Sequence, residues 1–207
     1  MAMHAEQRSR RAALLATAAL CLAVLAGVAL LTHARIQHGA RAAELAQLAG
    51  VLPPRYYDND PLGDRIQLRD SEALGSTEAL PVLRARRQGQ PSALVVDAVA
   101  EAGYGGPIRL RIGIDRDGRL IGVRVIEHSE TRGWGDAYAA EDWLRQLQGR
   151  SLGNPAMRAW APRRDGGDFD QIASATVTPR AILARVRRVL AAYAQQGDAW
   201  FAADAQP

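Results

Sequence analysis

Residues 12–32 read AALLATAALCLAVLAGVALLT, twenty-one consecutive positions without a charge. A helix rises about 1.5 Å per residue, so the run reaches about 31 Å, enough to cross a hydrocarbon core of about 30 Å. A helix that is apolar all round has no face to offer water, and the run is read as a transmembrane helix. The rival reading is a cleaved secretory signal, for which Thr32-His33-Ala34 supplies a small terminal residue. Signal hydrophobic regions span about 7–15 residues, so the length favours a retained anchor. Cys21, the only cysteine, follows bulky Leu20, which does not suit lipoprotein processing; it reads as a lipid-facing side chain. Arg8, Arg10 and Arg11 precede the run, and Arg35 and Arg41 follow it. Positive charge stays inside, which predicts a cytoplasmic N-terminus over 1–11, the span over 12–32 and an outward, periplasmic remainder. Within that remainder, 33–50 is a membrane-proximal helix and 51–207 a single domain.

The formal charge is +4, all the basic residues are Arg, and there is no Lys. Residues 1–50 hold five Arg against two Glu, so the other 157 positions carry only +1. A nucleic-acid-binding face needs basic residues clustered on the folded domain, and that balance argues against one. A lone cysteine makes no intramolecular disulfide, and His4, His33, His38 and His128 have no metal-ligand spacing.

Beyond the run, Ile36, Ala40, Ala43, Leu45 and Leu48 recur at helical spacing up to Gly50. Residues 51–64, with Pro53, Pro54 and Pro61, read as a loop. Residues 79–86 and 92–100 are candidate strands. Residues 108–115 (IRLRIGID) alternate apolar and polar, Asp115-Arg116-Asp117-Gly118 turns the chain, and 120–127 (LIGVRVIE) returns. That is a hairpin. Asp-x-Asp-Gly also opens a calcium loop, but the twelfth position is Ile126 rather than Glu. Residues 130–136 (ETRGWGD) form a loop with two glycines about an aromatic, which serves a plain connection or the close approach of a flat ligand. Residues 139–147 predict a short helix with Trp143 and Leu147 on one face. The class is therefore α+β.

Thr178-Pro179 predicts a helix start, with Thr as N-cap and Pro at N1. The helix presents Ile182, Val186, Val189 and Tyr193 on one face and ends at Gly197. Ahead of it, Ala173, Ser174, Ala175 and Thr176 have little bulk. A helix N-terminus favours an anion, so this stretch either leaves space for an anionic group near Thr176 or is simply a tight lead-in.

In that order and spacing, Gly103-Tyr104-x-Gly106-x-Ile108, Glu130-Thr131-x-Gly133-x-Gly135-Asp136 and Asp170-x-x-x-x-Ala175-Thr176-x-Thr178 carry a resemblance over nearly the whole chain. It resembles the G subunits of Rnf electron-transport complexes and, more distantly, the C subunits of sodium-pumping NADH:quinone reductases. The chain's length fits the former, since the latter are longer. The resemblance implies one N-terminal transmembrane helix followed by an extracytoplasmic mixed α/β FMN-binding domain. It implies FMN joined through a phosphoester to Thr176, with Ser174, Ala175, Thr178, Glu130, Thr131, Gly133 and Gly135 around the cofactor. It also implies partner subunits in the inner membrane and a separate extracytoplasmic flavin transferase that uses FAD and Mg²⁺. The chain departs from the family at Ala173, where Ser or Thr is usual, and at Ser174, where Gly is usual. Arg132, Trp134 and Ala137 stand where the family often has Pro, Leu and Lys. Trp134 is either a stacking partner for the flavin or a half-buried anchor. No G-x-G-x-x-G lies between a strand and a helix, so the expected role is an electron relay that does not oxidise NADH alone. The alternative from another class is an outward-facing assembly or sensing module without flavin.

Overall fold

The computed structural model describes residues 19–28, 32, 39, 41, 43–130, 141–170 and 176–205. The chain divides into two units, Met1–Gln47 and Leu48–Pro207. In the first, residues 19–28 are helical, and Thr32 Oγ1 donates to the Val28 carbonyl four residues back at 2.6 Å. Leu20, Leu22, Val24, Leu25 and Val28 are exposed. Among the described residues no helix is long and apolar enough to cross a membrane; the rest of the expected span lies outside them.

The second unit is built on a five-stranded, wholly antiparallel meander in the order β1-β2-β3-β4-β5. The strands are β1 Arg65–Leu68, β2 Leu80–Arg87, β3 Gln90–Ala100, β4 Ile108–Asp115 and β5 Leu120–Glu127. Its helices are α1 Ser71–Leu74, α2 Glu141–Leu144 and α3 Val177–Ala202. Strand alternation gives the sheet two apolar faces. On one, Val82, Leu94, Val96, Leu110, Ile112 and Ile114 meet Ile182, Val186, Val189 and Tyr193 of α3 in a continuous core. The expected α3 face is thus buried, with Tyr193 least so at 6% exposed.

The opposite face is covered by a strap, residues 48–56, whose Leu48, Val51 and Leu52 are fully buried. The strap crosses where Gly113 of β4 pairs with Gly122 of β5. A Cβ on Gly113 would lie 1.8 Å from the Val51 carbonyl oxygen, and one on Gly122 2.2 Å from that of Gly50. Two facing glycines are what let the strap backbone touch the sheet.

The expected hairpin is present. Asp115 Oδ1 accepts from the backbone N–H of Asp117 at 3.0 Å and of Arg119 at 2.8 Å, and Gly118 takes φ 77°. The expected strands at 79–86 and 92–100 are β2 and β3. Segments β1 and α1, at four residues each, leave no mark in the sequence pattern. Asp70 caps α1 by accepting from Ala73 N–H at 2.9 Å.

Two expectations about α3 are corrected. It begins at Val177 with Thr176 as N-cap, so Thr178 lies inside the first turn and Pro179 is its third residue. Pro is tolerated there because first-turn N–H groups have no intrahelical partner. Nor does Gly197 end the helix, which runs on to Ala202. Trp200 and Phe201 are 3% and 5% exposed, and Tyr193 meets Trp200 edge-on at 6.2 Å. Their burial outweighs the roughly 1 kcal/mol helix penalty of a glycine. The last turn is held by Arg84 and Arg86. Both donate to the Phe201 carbonyl, at 3.2 and 2.9 Å, and Arg84 also to that of Ala203. Asp64 accepts from both arginines, at 2.7 and 2.8 Å.

Candidate functional site

Thr176 occupies the N-cap of the twenty-six-residue α3 with φ −111° and ψ −22°, and its side chain makes no capping hydrogen bond. Its hydroxyl is therefore not consumed in holding the helix end. No acidic residue stands in the first turn of α3, so no carboxylate of that turn offsets the positive end of the dipole. Thr176 is half-buried, Val177 is exposed, and Thr178 is 2% exposed and faces the interior.

Both flanks of residues 171–175 are fastened. Upstream, the Asp170 carbonyl accepts from Trp143 Nε1 at 2.7 Å, and Asp170 N–H donates to Gln146 Oε1 at 2.7 Å. The Asp170 carboxylate lies 3.1 Å from Arg163 Nε. Downstream, Arg180 grips Asp165 with two hydrogen bonds of 2.6 Å each. That fork holds the Asp165 carboxyl below its ordinary value and raises the Arg180 guanidinium. Ser174 and Ala175, together with Ala173, lie outside the described residues, as do Thr131, Gly133, Gly135 and Trp134.

Glu130 is described. It follows β5, is 7% exposed, and neither carboxylate oxygen has a hydrogen-bond partner. Its N–H donates to His128 Nδ1 at 3.2 Å. The 103–106 loop lies directly on it: a Cβ on Gly103 would sit 2.6 Å from Glu130 Oε1, and one on Gly105 2.2 Å from the Ser129 carbonyl oxygen. Tyr104, between those glycines, is 75% exposed. Both oxygens of Glu130 are closed to solvent, which suits a prop under the glycine loop better than a surface ligand.

Contacts along α3 show which end of the sheet this is. Arg185 Nη2 lies 3.5 Å from Glu101 Oε2, just after β3. Two turns on, Tyr193 Oη donates to the Arg116 carbonyl at 3.3 Å, in the β4–β5 turn. So α3 runs from the glycine-loop end to the hairpin-turn end. Thr176, nine residues upstream of Arg185, therefore belongs to the end that carries Gly103–Gly106 and Glu130. Arg185 itself is 4% exposed and structural: its Nη1 donates to the carbonyls of Glu72 and Ala73 at 2.7 and 2.9 Å, and burial lowers its affinity for the proton. A cleft of about 370 Å³ lined by Arg116, Ser151, Tyr193 and Asp198 lies at the opposite end, away from Thr176.

The model of the FMN-binding domain family matches residues 103–191, from the glycine loop through most of α3. The G subunit of the ion-translocating oxidoreductase complex of Pseudomonas aeruginosa is 42% identical over 190 residues, covering 88% of this chain and 89% of that protein. The protein of the same name from Stutzerimonas stutzeri is 45% identical over 171 residues, covering 82% and 73%. This chain belongs to that G-subunit family. The stretch matched by the FMN-binding domain takes in Glu130, Thr176, Thr178 and the positions between them. A crystal structure of NqrC from Shewanella oneidensis is 19% identical to this G-subunit chain, with a TM-score of 0.49 over 72% of it and 74% of that chain.

The sequence missed what fastens the residues on either side of 171–175. The Trp143, Gln146 and Arg180 contacts reach 27, 24 and 15 residues along the chain, and no local pattern announces them. Gly103, Tyr104 and Gly106 entered the sequence reading only as part of the family resemblance, and what this loop presses against is visible only in three dimensions.

Proposed function

We propose that this chain is the membrane-anchored flavoprotein subunit of an Rnf-type ion-translocating electron-transport complex, carrying FMN on Thr176 through a phosphoester. The observation that carries the reading is an uncommitted threonine hydroxyl at the N-terminus of a long helix, inside a matched FMN-binding domain. The residues suit the cofactor. First-turn N–H groups and an unopposed helix dipole favour the negative charge of a phosphodiester beside Thr176. The tight 103–106 loop on Glu130 holds the neighbouring surface in place, and Thr178, Ser174, Ala175, Thr131, Gly133 and Gly135 complete the group of residues around the cofactor.

FMN, when bound, supplies one- and two-electron transfer, and the protein supplies position and electrostatics. Thr176 is an acceptor of modification rather than a catalyst. A threonine hydroxyl is a weak nucleophile at neutral pH, so attachment belongs to a separate extracytoplasmic transferase. That enzyme joins the threonine oxygen to the FMN phosphorus of FAD, AMP leaves, and the hydroxyl proton goes to the transferase's base. The anchor holds the domain on the periplasmic side, where the other subunits of the complex give and receive the electrons. The relatives' shared name supports membership in such a complex.

The departures at Ala173 and Ser174 favour one competing reading, an outward-facing assembly or sensing module without flavin. Co-expression with a flavin transferase decides between them. The flavoprotein gives a band that fluoresces after denaturing electrophoresis and an intact mass heavier by one FMN less water. Thr176→Ala abolishes both, and Thr176→Ser keeps them. A wild-type chain of unmodified mass, or a fluorescent Thr176→Ala band, defeats the reading.

A further inference from the structure

In the first turns of α3, over Val177–Leu183, only Val177 and Arg180 stay out of the core. Arg180 is also the only charged residue in that stretch. Thr176 is the N-cap, but its φ of −111° and ψ of −22° fall in the right-handed helical region. Its side chain therefore continues the helical array, and Arg180 stands one turn on along the same face. Side chains so spaced have Cβ atoms about 5–6 Å apart. The Thr176 hydroxyl makes no capping bond, so a group carried on it lies within the sweep of the Arg180 stem.

Arg180 is held, but along one edge. Its Nε and Nη2 each donate to Asp165 at 2.6 Å. A guanidinium carries its N–H donors in a planar fork, and Asp165 takes the edge from Nε to Nη2. The edge from Nη1 to Nη2 meets no acceptor among the described residues, and the side chain is 52% exposed. Arg164 also acts on the Asp165 carboxylate, so that charge does not depend on Arg180 alone.

We infer that the outer edge of Arg180 binds the phosphate of the FMN carried on Thr176, while Asp165 fixes the aim of the guanidinium from behind. The unesterified oxygens of a phosphodiester match a pair of parallel N–H donors. The positive end of α3 favours the same charge, and no acidic residue in the first turn opposes it. Arg180 thereby stops the phosphate swinging about the Thr176 Cα–Cβ bond and sets the direction in which the ribityl chain leaves. The inference rests on the Thr176 reading given above and adds to it the side chain that orients the cofactor.

The test uses the full chain co-expressed with a flavin transferase, with loading read by intact mass and the phosphodiester by phosphorus NMR. In the folded wild type the resonance should stand away from its position in the urea-unfolded chain. Arg180→Gln should load several-fold more slowly and move the resonance most of the way back. Arg180→Lys, which keeps the charge and loses the fork, should move it part of the way. Arg188→Gln removes an equal charge from an exposed site on the same helix and should leave it unmoved. Asp165→Asn keeps Arg180 and should keep most of the displacement. An unmoved resonance in Arg180→Gln overturns the inference, and if that variant does not load, an unmoved resonance in Arg180→Lys does so. An equal shift in Asp165→Asn and Arg180→Gln assigns Arg180 to steadying the helix alone and also overturns it. A wild-type chain of unmodified mass defeats the Thr176 reading and this inference together, whereas a loaded chain with an unmoved resonance defeats only this one.

Discussion

At the scale of single residues, fit is decided by atoms that are missing. Gly113 has no Cβ because the Val51 carbonyl oxygen would lie 1.8 Å from it. Gly113→Ala therefore has to lift the strap, and overpacking of this kind costs about 1–3 kcal/mol. Urea unfolding should show a lower midpoint at unchanged slope. Gly153→Ala, where a Cβ meets nothing within 4 Å, should stay within about 0.5 kcal/mol of wild type. Equal stability of the two variants would remove the strap contact from the account. The sequence could not announce this pairing, because the glycines stand inside patterns that read as ordinary strand. Thr176 was legible as a small polar residue ahead of a helix, whereas its place as the N-cap itself was not. Thr178-Pro179 offered a cap signal two residues later, and the packing of Thr178 into the interior overrode it.

At the scale of elements, the long periodic segments were readable and the short ones were not. The β4–β5 hairpin follows from strict alternation about Asp-Gly, and the buried stripe of α3 follows from its 3–4 spacing. Segments of four residues, β1 and α1, are too short to show a period and exist through their neighbours. The first turn of α3 is likewise held by a residue far from it in sequence, through the Arg180–Asp165 fork. That pair makes a signed prediction. Its Asp165 carboxyl is held below the ordinary value of 3.8, so the folded state binds fewer protons there than the unfolded chain. The resulting stabilisation is complete above that ordinary value and disappears as pH falls through the lower, folded one. Arg180→Gln should therefore melt at a lower temperature than wild type near neutral pH, with the gap closing in acid. A gap that widened on acidification would contradict the pairing. Flavin loading in the same variant separates the fork's two roles, since a fork that only steadies the helix leaves the fluorescent band intact.

At the scale of the whole molecule, the chain reads as an anchor followed by one α+β domain. The domain is a sheet with a helix on one face and a strap on the other, while the anchor rests on the uncharged run itself. Cell fractionation addresses the anchored reading. The protein should stay with membranes through an alkaline carbonate wash, and deletion of residues 12–32 should release it. Protease added outside spheroplasts should remove the folded domain and spare the segment before the run. Release of the intact chain by carbonate would argue against a spanning helix. The strap then has a mechanical consequence. Any load on the strap enters the sheet near the turn of the β4–β5 hairpin, where Gly113 and Gly122 meet the Val51 and Gly50 carbonyls, through backbone pressed on backbone. The hairpin's ladder lies across that path, and Thr176 lies off it at one end of the sheet. A pull on residues 48–56 is thus borne at Gly113 and Gly122, and Thr176, at the other end of the sheet, stands clear of it.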